Sequence, residues 1–281
     1  MGQVFRGKIR ALTFKGLGVV DHTDGLVFFV KGTWPGDEGI FEEIKREKRY
    51  GFAKLKEVIV PSPDRRNVIC PHFGFEKGQC GGCPWMFANY ESQLQQKQNL
   101  VLDFFKRAKI TSSNTQILNI LASPTEFGYR NRAQFKTDGN VLGYVSQESN
   151  EIAPIENCLI LNEGCQEILK VLKSRLPNSD WKPAGDDLWN LIDIDDDQKS
   201  NEIAINKKRP FKQGNSAQNQ KMKDWLDEQL KTQNTKSEVL ELFCGNGNFT
   251  EVFVQKDFES IMAIEASSEA ILQLKSRNLR N

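Results

Sequence analysis

No window of the 281-residue sequence approaches the eighteen or so consecutive apolar residues of a bilayer-spanning helix. The N-terminus, Met1-Gly2-Gln3-Val4-Phe5-Arg6, carries no apolar signal segment either. These absences set the expectation of a soluble, cytoplasmic, monomeric protein with no membrane partner. With nothing pointing to secretion, a disulfide framework ranks last among the uses of the six cysteines. No large charge of one sign is present, since 38 Lys+Arg against 37 Asp+Glu give +1. The balance is local, however. Residues 1–66 hold thirteen Lys+Arg and nine Asp+Glu (+4), whereas residues 186–281 hold thirteen and seventeen (−4). Such asymmetry suits an N-terminal end that meets phosphates, although an ordinary solvated surface gives the same counts. The length allows two or three domains, each with its own core.

Three of the cysteines fall in the stretch Cys70-Pro71-His72-Phe73-Gly74-Phe75-Glu76-Lys77-Gly78-Gln79-Cys80-Gly81-Gly82-Cys83. The glycines inside Cys80-x-x-Cys83 let the backbone fold tightly beneath two sulfurs, so both thiolates can face one metal. Cys158, after a proline-containing loop, is the best candidate for a fourth ligand. Cys165 is less suited, because it falls in 161–176, which reads as an amphipathic helix with Leu169 and Leu172 on its apolar face. From spacing alone a [4Fe–4S] cluster and a structural zinc compete evenly.

Along the chain, residues 1–60 read as five short strands broken by glycine turns, the pattern of a small OB-type barrel. Lys45-Arg46-x-Lys48-Arg49 followed by Tyr50 and Phe52 interleaves cations with aromatics, as phosphate contact plus base stacking requires. The competing reading places Tyr50 and Phe52 in the barrel core. Residues 90–109 read as a helix, 130–137 and 141–145 as strands, 188–194 and 202–206 as strands flanking Asp195-Asp196-Asp197, and 216–230 as a helix. The three aspartates read as a solvated loop whose carboxylates splay apart.

Near the C-terminal end an apolar strand, 239–243, runs into Cys244-Gly245-Asn246-Gly247-Asn248-Phe249-Thr250 and a helix. A second strand, 260–264, ends in Glu265. The glycines permit close approach of a ligand, and an acid ending the second strand is placed to accept both hydroxyls of a ribose. The third glycine of a dinucleotide loop is missing, so a pyrophosphate cofactor fits poorly and S-adenosylmethionine fits better.

Several of these stretches together resemble the RNA 5-methyluridine (uracil-5-)methyltransferases. They are Cys-Pro-His-Phe-Gly, Cys-Gly-Gly-Cys-Pro-Trp, Tyr90-Glu91-x-Gln93-Leu94-x-x-Lys97, Tyr129-Arg130-Asn131-Arg132, Phe211-x-Gln213-x-Asn215 and Leu-Phe-Cys-Gly-x-Gly-Asn-Phe-Thr. The resemblance implies an α/β multidomain fold. It would have an OB-like TRAM barrel over 1–60, a central α+β domain with the cluster over 61–183, and an incomplete Rossmann-like S-adenosylmethionine domain over 184–281. It further implies a [4Fe–4S] cluster on Cys70, Cys80, Cys83 and Cys158, although the nine residues between Cys70 and Cys80 exceed the family's usual spacing. It places S-adenosylmethionine against Gln213, Phe243, Gly245, Gly247, Asn248 and Glu265, and rRNA or tRNA against Arg46, Lys48, Arg49, Arg130 and Arg132. The family's nucleophilic cysteine sits in Ser-Cys-Asn-Pro, with a glutamate base further on and an Asp-Pro-Pro-Arg element. None of these occurs here. Cys244, the only thiol near the cofactor loop, reads as loop structure, so no catalytic residue is assigned. Two functions remain: a uracil-5-methyltransferase represented by its N-terminal portion, and a non-catalytic RNA-binding iron–sulfur protein. A radical-generating enzyme is a distant third, for want of three closely spaced cysteines.

Overall fold

The computed structural model describes residues 2–110, 112, 114–199, 202–233, 236–256 and 258–279. It divides into two compact units. Unit 1 comprises Met1–Ala122 with Gly143–Ile155, and unit 2 comprises Ser123–Leu142 with Glu156–Asn281.

Unit 1 opens with β1 (Val4–Leu12), β2 (Gly18–Asp21), β3 (Val27–Val30), β4 (Glu38–Arg46) and β5 (Tyr50–Val60). These close a barrel in the order β1-β2-β3-β5-β4, as the strand-and-glycine pattern anticipates. Alternation sends Phe5, Ile9, Val20, Phe28, Val30, Phe41 and Ala53 inward. Tyr50 and Phe52 do not join them. Their rings gather with Phe29 outside the core, with centroids 5.6 to 5.9 Å apart. Gly51 between them is small of necessity, since a Cβ there would come within 2.3 Å of the Phe28 ring. The competing reading, which places these two aromatics in the barrel core, is therefore not what the fold shows.

A buried ion pair fastens the cysteine stretch to the barrel. Asp37 accepts from Arg65 at 2.7 and 2.8 Å, from the Trp34 amide at 2.6 Å and from the Ser62 amide at 2.9 Å. Around it Trp34, Leu12, Phe87 and Ala88 form a second small core with Phe73, Phe75 and Trp85. Helix α1 (Tyr90–Ala108) follows, capped by Asn89, and buries none of its residues.

The chain enters unit 2 with β6 (Arg132–Thr137) and returns to unit 1 for an antiparallel hairpin, β7 (Leu142–Val145) and β8 (Ile152–Pro154). Unit 2 then continues with α2 (Glu163–Ser174), whose buried face is Cys165, Ile168, Leu169 and Leu172. Strand β9 (Asn190–Asp195), buried throughout, pairs antiparallel with β6, placing Arg132 opposite Asp195 and Gln134 opposite Asp193. The strand expected over 202–206 is absent: only Ile205 bridges, to Ile192. Next come α3 (Ser216–Leu230), β10 (Glu238–Leu242), α4 (Thr250–Val254), β11 (Ser260–Ile264) and α5 (Ser268–Ser276). β10 and β11 run parallel, with Leu240 opposite Met262 and Leu242 opposite Ile264. Those four side chains share one face and remain 48 to 63% exposed. Among the described residues, no helix is long and apolar enough to cross a membrane.

Candidate cofactor site and nucleic-acid interface

The loop after β10 is set by three positive-φ residues, Phe243 (59°), Gly245 (57°) and Gly247 (86°). Left-handed backbone is ordinary for glycine and strained for phenylalanine. Its ring is 87% exposed. Glu265, at the end of β11, accepts from the Gly245 amide at 3.0 Å and from the Ser267 amide at 2.9 Å. These backbone donors, Ser267 first and then Gly245, hold its pKa below the ordinary glutamate value. The carboxylate is thus ionised, and each oxygen keeps a lone pair for a further donor. Asn248 exchanges two 2.8 Å amide bonds with Asn219 of α3. Cys244 is buried, and burial followed by the charges of Glu241 and Glu265 pushes its thiol pKa up. It is a poor source of thiolate.

The segment bearing Gln213 is braced from below. The Asn131 side chain donates to the Gln213 carbonyl at 2.9 Å and to Ser216 Oγ at 2.7 Å, while its amide donates to the Gly214 carbonyl at 3.1 Å. Asn215 donates to Ser123 Oγ and caps α3. Arg132, whose side chain is only 11% exposed, forks onto the fully buried Asp193 and donates to the carbonyls of Arg209 and Pro210. Burial alone would raise the Asp193 pKa, but its bonds from Arg132, Arg209 and Gln134 bring it below the ordinary value. Arg132 is therefore an internal brace, its fork engaged within unit 2 rather than presented to solvent. Arg130 remains exposed, its Nε donating to the Arg132 carbonyl.

The aspartate loop is corrected as well. Asp195, Asp196 and Asp197 do not splay into solvent: all three carboxylates accept from Lys212 Nζ at 2.8 Å. Burial works against that ammonium, but the three bonds outweigh it and raise its pKa. No local pattern announces this contact, because Lys212 lies fifteen to seventeen residues further on.

Cys70, Cys80 and Cys83 lie in unit 1, each half-buried. The Cys80 amide donates to the His72 carbonyl at 2.7 Å, Phe73 bridges Cys80, and the Cys83 carbonyl receives the Met86 amide. Ser146 and Gln147 tie down the intervening glycines through the Gly78 amide and the Gly81 carbonyl. Cys158, also half-buried, lies in unit 2 on a turn held by the Gln166 side chain. Cys165 is buried, and desolvation, with Asp196 and Asp195 nearby, pushes its thiol up to about 12.

At the β4–β5 turn the basic cluster separates into parts. Arg46, exposed at the barrel surface, is paired with both Glu43 and Asp24, and its guanidinium carbon lies 5.3 Å from the Phe28 ring centre. Lys45 pairs with Glu47 at 2.6 Å. Lys48 and Arg49 are exposed.

A family model for tRNA (uracil-5-)-methyltransferase matches residues 191–280. An uncharacterized RNA methyltransferase of Nitrosomonas europaea is 46% identical over 279 residues, covering 98% of this chain and 71% of that protein. Another, of Thermotoga maritima, is 28% identical over 190 residues, covering 66% of this chain and 42% of that protein. The fold matches that of the Pyrococcus abyssi tRNA (uracil-54, C5)-methyltransferase, solved with S-adenosyl-L-homocysteine. The TM-score is 0.67 at 18% identity, over 97% of this chain and 76% of that one.

Proposed function

We propose, since this chain belongs to the RNA uracil-5-methyltransferase family, that it binds S-adenosylmethionine and serves the formation of 5-methyluridine in rRNA or tRNA. The observation that carries the reading is the ionised Glu265 carboxylate, fixed by the Gly245 and Ser267 amides beside a strained, solvent-facing Phe243. The donor set fits the cofactor. Glu265 accepts the two ribose hydroxyls, Phe243 offers a ring face to adenine, Asn248 offers an amide, and Gly245 and Gly247 keep the backbone bare. Gln213 faces the methyl donor and the target base. Bound S-adenosylmethionine supplies the methyl group. The sheet of β10 and β11 is read as the start of a Rossmann-like domain, and the barrel as a TRAM domain.

Cys70, Cys80 and Cys83, with Cys158 as the fourth thiolate, are proposed to hold a [4Fe–4S] cluster. Four thiolates suit a structural zinc as well as a cluster; the cluster is preferred here on the resemblance of the Cys-Pro-His-Phe-Gly and Cys-Gly-Gly-Cys-Pro-Trp stretches to the family. The second reading, a non-catalytic RNA-binding iron–sulfur protein, is favoured by Cys244, whose buried thiol is a poor source of the thiolate that would add to C6 of uracil.

The test is calorimetric titration of the anaerobically purified chain with S-adenosylhomocysteine. Glu265→Gln should weaken binding by about tenfold or more, the loss of a charge-assisted bond. Unchanged affinity would remove Glu265 from the site. Metal analysis of the same sample decides between four irons and one zinc.

A further inference from the structure

Outside the cofactor loop, unit 1 carries an open groove of about 750 Å³ between the outer face of the barrel and α1. Its walls carry three arginines, Arg10, Arg49 and Arg107, and three exposed rings, Phe14, Tyr50 and Phe104. We infer that this groove holds a single-stranded segment of RNA, with bases stacked on the rings and phosphates on the arginines. The inference rests on the RNA-binding reading above and moves its contact from the turn at Arg46 to the groove.

Three observations favour this occupant. Phe14 and Phe104 come from different elements yet lie 6.4 Å apart, and both stay 77 and 56% exposed, so the barrel loop and α1 present rings without burying them. An aromatic platform of this kind accepts any base through its π-face. The charge is complementary to phosphate. The groove's carboxylate, Asp103, is 3.9 Å from Arg107; Arg10 pairs with the exposed Asp21; and among the described residues no carboxylate pairs with Arg49. Exposed pairs of this sort contribute little and exchange readily for phosphate. An apolar protein partner would instead strip water from three guanidinium groups without replacing it. A duplex is excluded by its own stacking, which hides the base faces that the rings need.

The 281-residue chain is titrated with fluorescein-labelled oligouridine of about eight nucleotides, within the range an OB-type barrel takes. The double substitution Phe14→Ala and Phe104→Ala should weaken binding by roughly tenfold or more and leave the salt dependence intact. Arg49→Gln should flatten the slope of log affinity against log salt by about 0.7. Both changes are on the surface, and an unaltered thermal melt confirms folding. If the double variant binds as well as the parent, the groove is not the site, although RNA binding itself stands. Equal affinity for a duplex of the same length overturns the single-strand assignment. If an apolar dye fills the groove and the oligonucleotide fails to displace it, the groove is a protein-docking face. Failure of the parent chain to bind any oligonucleotide defeats the RNA reading as a whole.

Discussion

Two regions of unit 2 meet water in opposite ways. The segment from Arg209 to Ser216 buries little apolar surface, its Phe211 being exposed, yet it is tied at every turn to Asn131, Arg132 and the aspartates gripped by Lys212. The β10–β11 sheet is apolar on one face, and that face stands uncovered at Leu240, Leu242, Met262 and Ile264. Polar groups thus supply the order where hydrophobic burial is expected to, and hydrophobic groups lie idle. The difference teaches that the loop bearing Gln213 is shaped in advance by its own unit. The sheet, by contrast, has a second face that parallel strands normally bury. Two strands are also fewer than an independently stable sheet requires.

The comparison can be broken first at Arg132. Arg132→Ala leaves Asp193 charged and sealed from water, a loss of about 3–5 kcal/mol. Urea unfolding followed by amide exchange across β9 should show it, and a change below about 1 kcal/mol would mean that Asp193 finds solvent. Lys212 comes next. Lys212→Met should cost about 1–3 kcal/mol by leaving partly buried acceptors unsatisfied. Its pKa is raised above the ordinary 10.5, so its contribution is complete below that pH and fades as the pH climbs beyond it. The depressed Asp193 and Asp196 act in the reverse sense: their contribution is present above the ordinary 3.8 and is lost on acidification. Thermal melts across both limbs should fall at each end in the parent chain, and the alkaline fall should be smaller in Lys212→Met. The smallest effect is expected on the open face. Leu242→Ala should shift stability by no more than about 0.5 kcal/mol, as for an ordinary surface position. A larger loss would show that the sheet is covered in solution.

Much of this was legible in residues. The barrel strands follow from alternation and glycine turns, and α3 begins at 216 because Asn215 is a good cap. β11 ends at Glu265 where the apolar run ends. What escaped was contact made across the chain. Alternating arginines at 130 and 132 look alike in sequence, and only the pairing of β6 with β9 brings Asp193, opposite Gln134, within reach of the Arg132 side chain. Three neighbouring aspartates imply mutual repulsion, and nothing local says that a lysine from the Gln213 segment will neutralise them. Likewise Ile205 has strand chemistry but finds a single bridging partner, so no strand forms. Tyr50 and Phe52 were ambiguous because barrel interior and barrel exterior accept the same rings. Gly51, with no room for a Cβ beside Phe28, is what turns them outward.

The strand order of the barrel also has a temporal side. β3 pairs with β5, not with β4, and β4 closes back on β1. As the chain leaves the ribosome, the first three strands are a meander with both margins open. The β1 margin stays open until β4 has emerged, and the β3 margin until residues 50–53 of β5 have followed. Strand β5 then closes the barrel between β4 and β3. For this interval of synthesis the nascent chain shows two bare edges of the kind that recruit other strands. A permuted chain that begins at β4 would make the closing hairpin first and would never expose a lone meander.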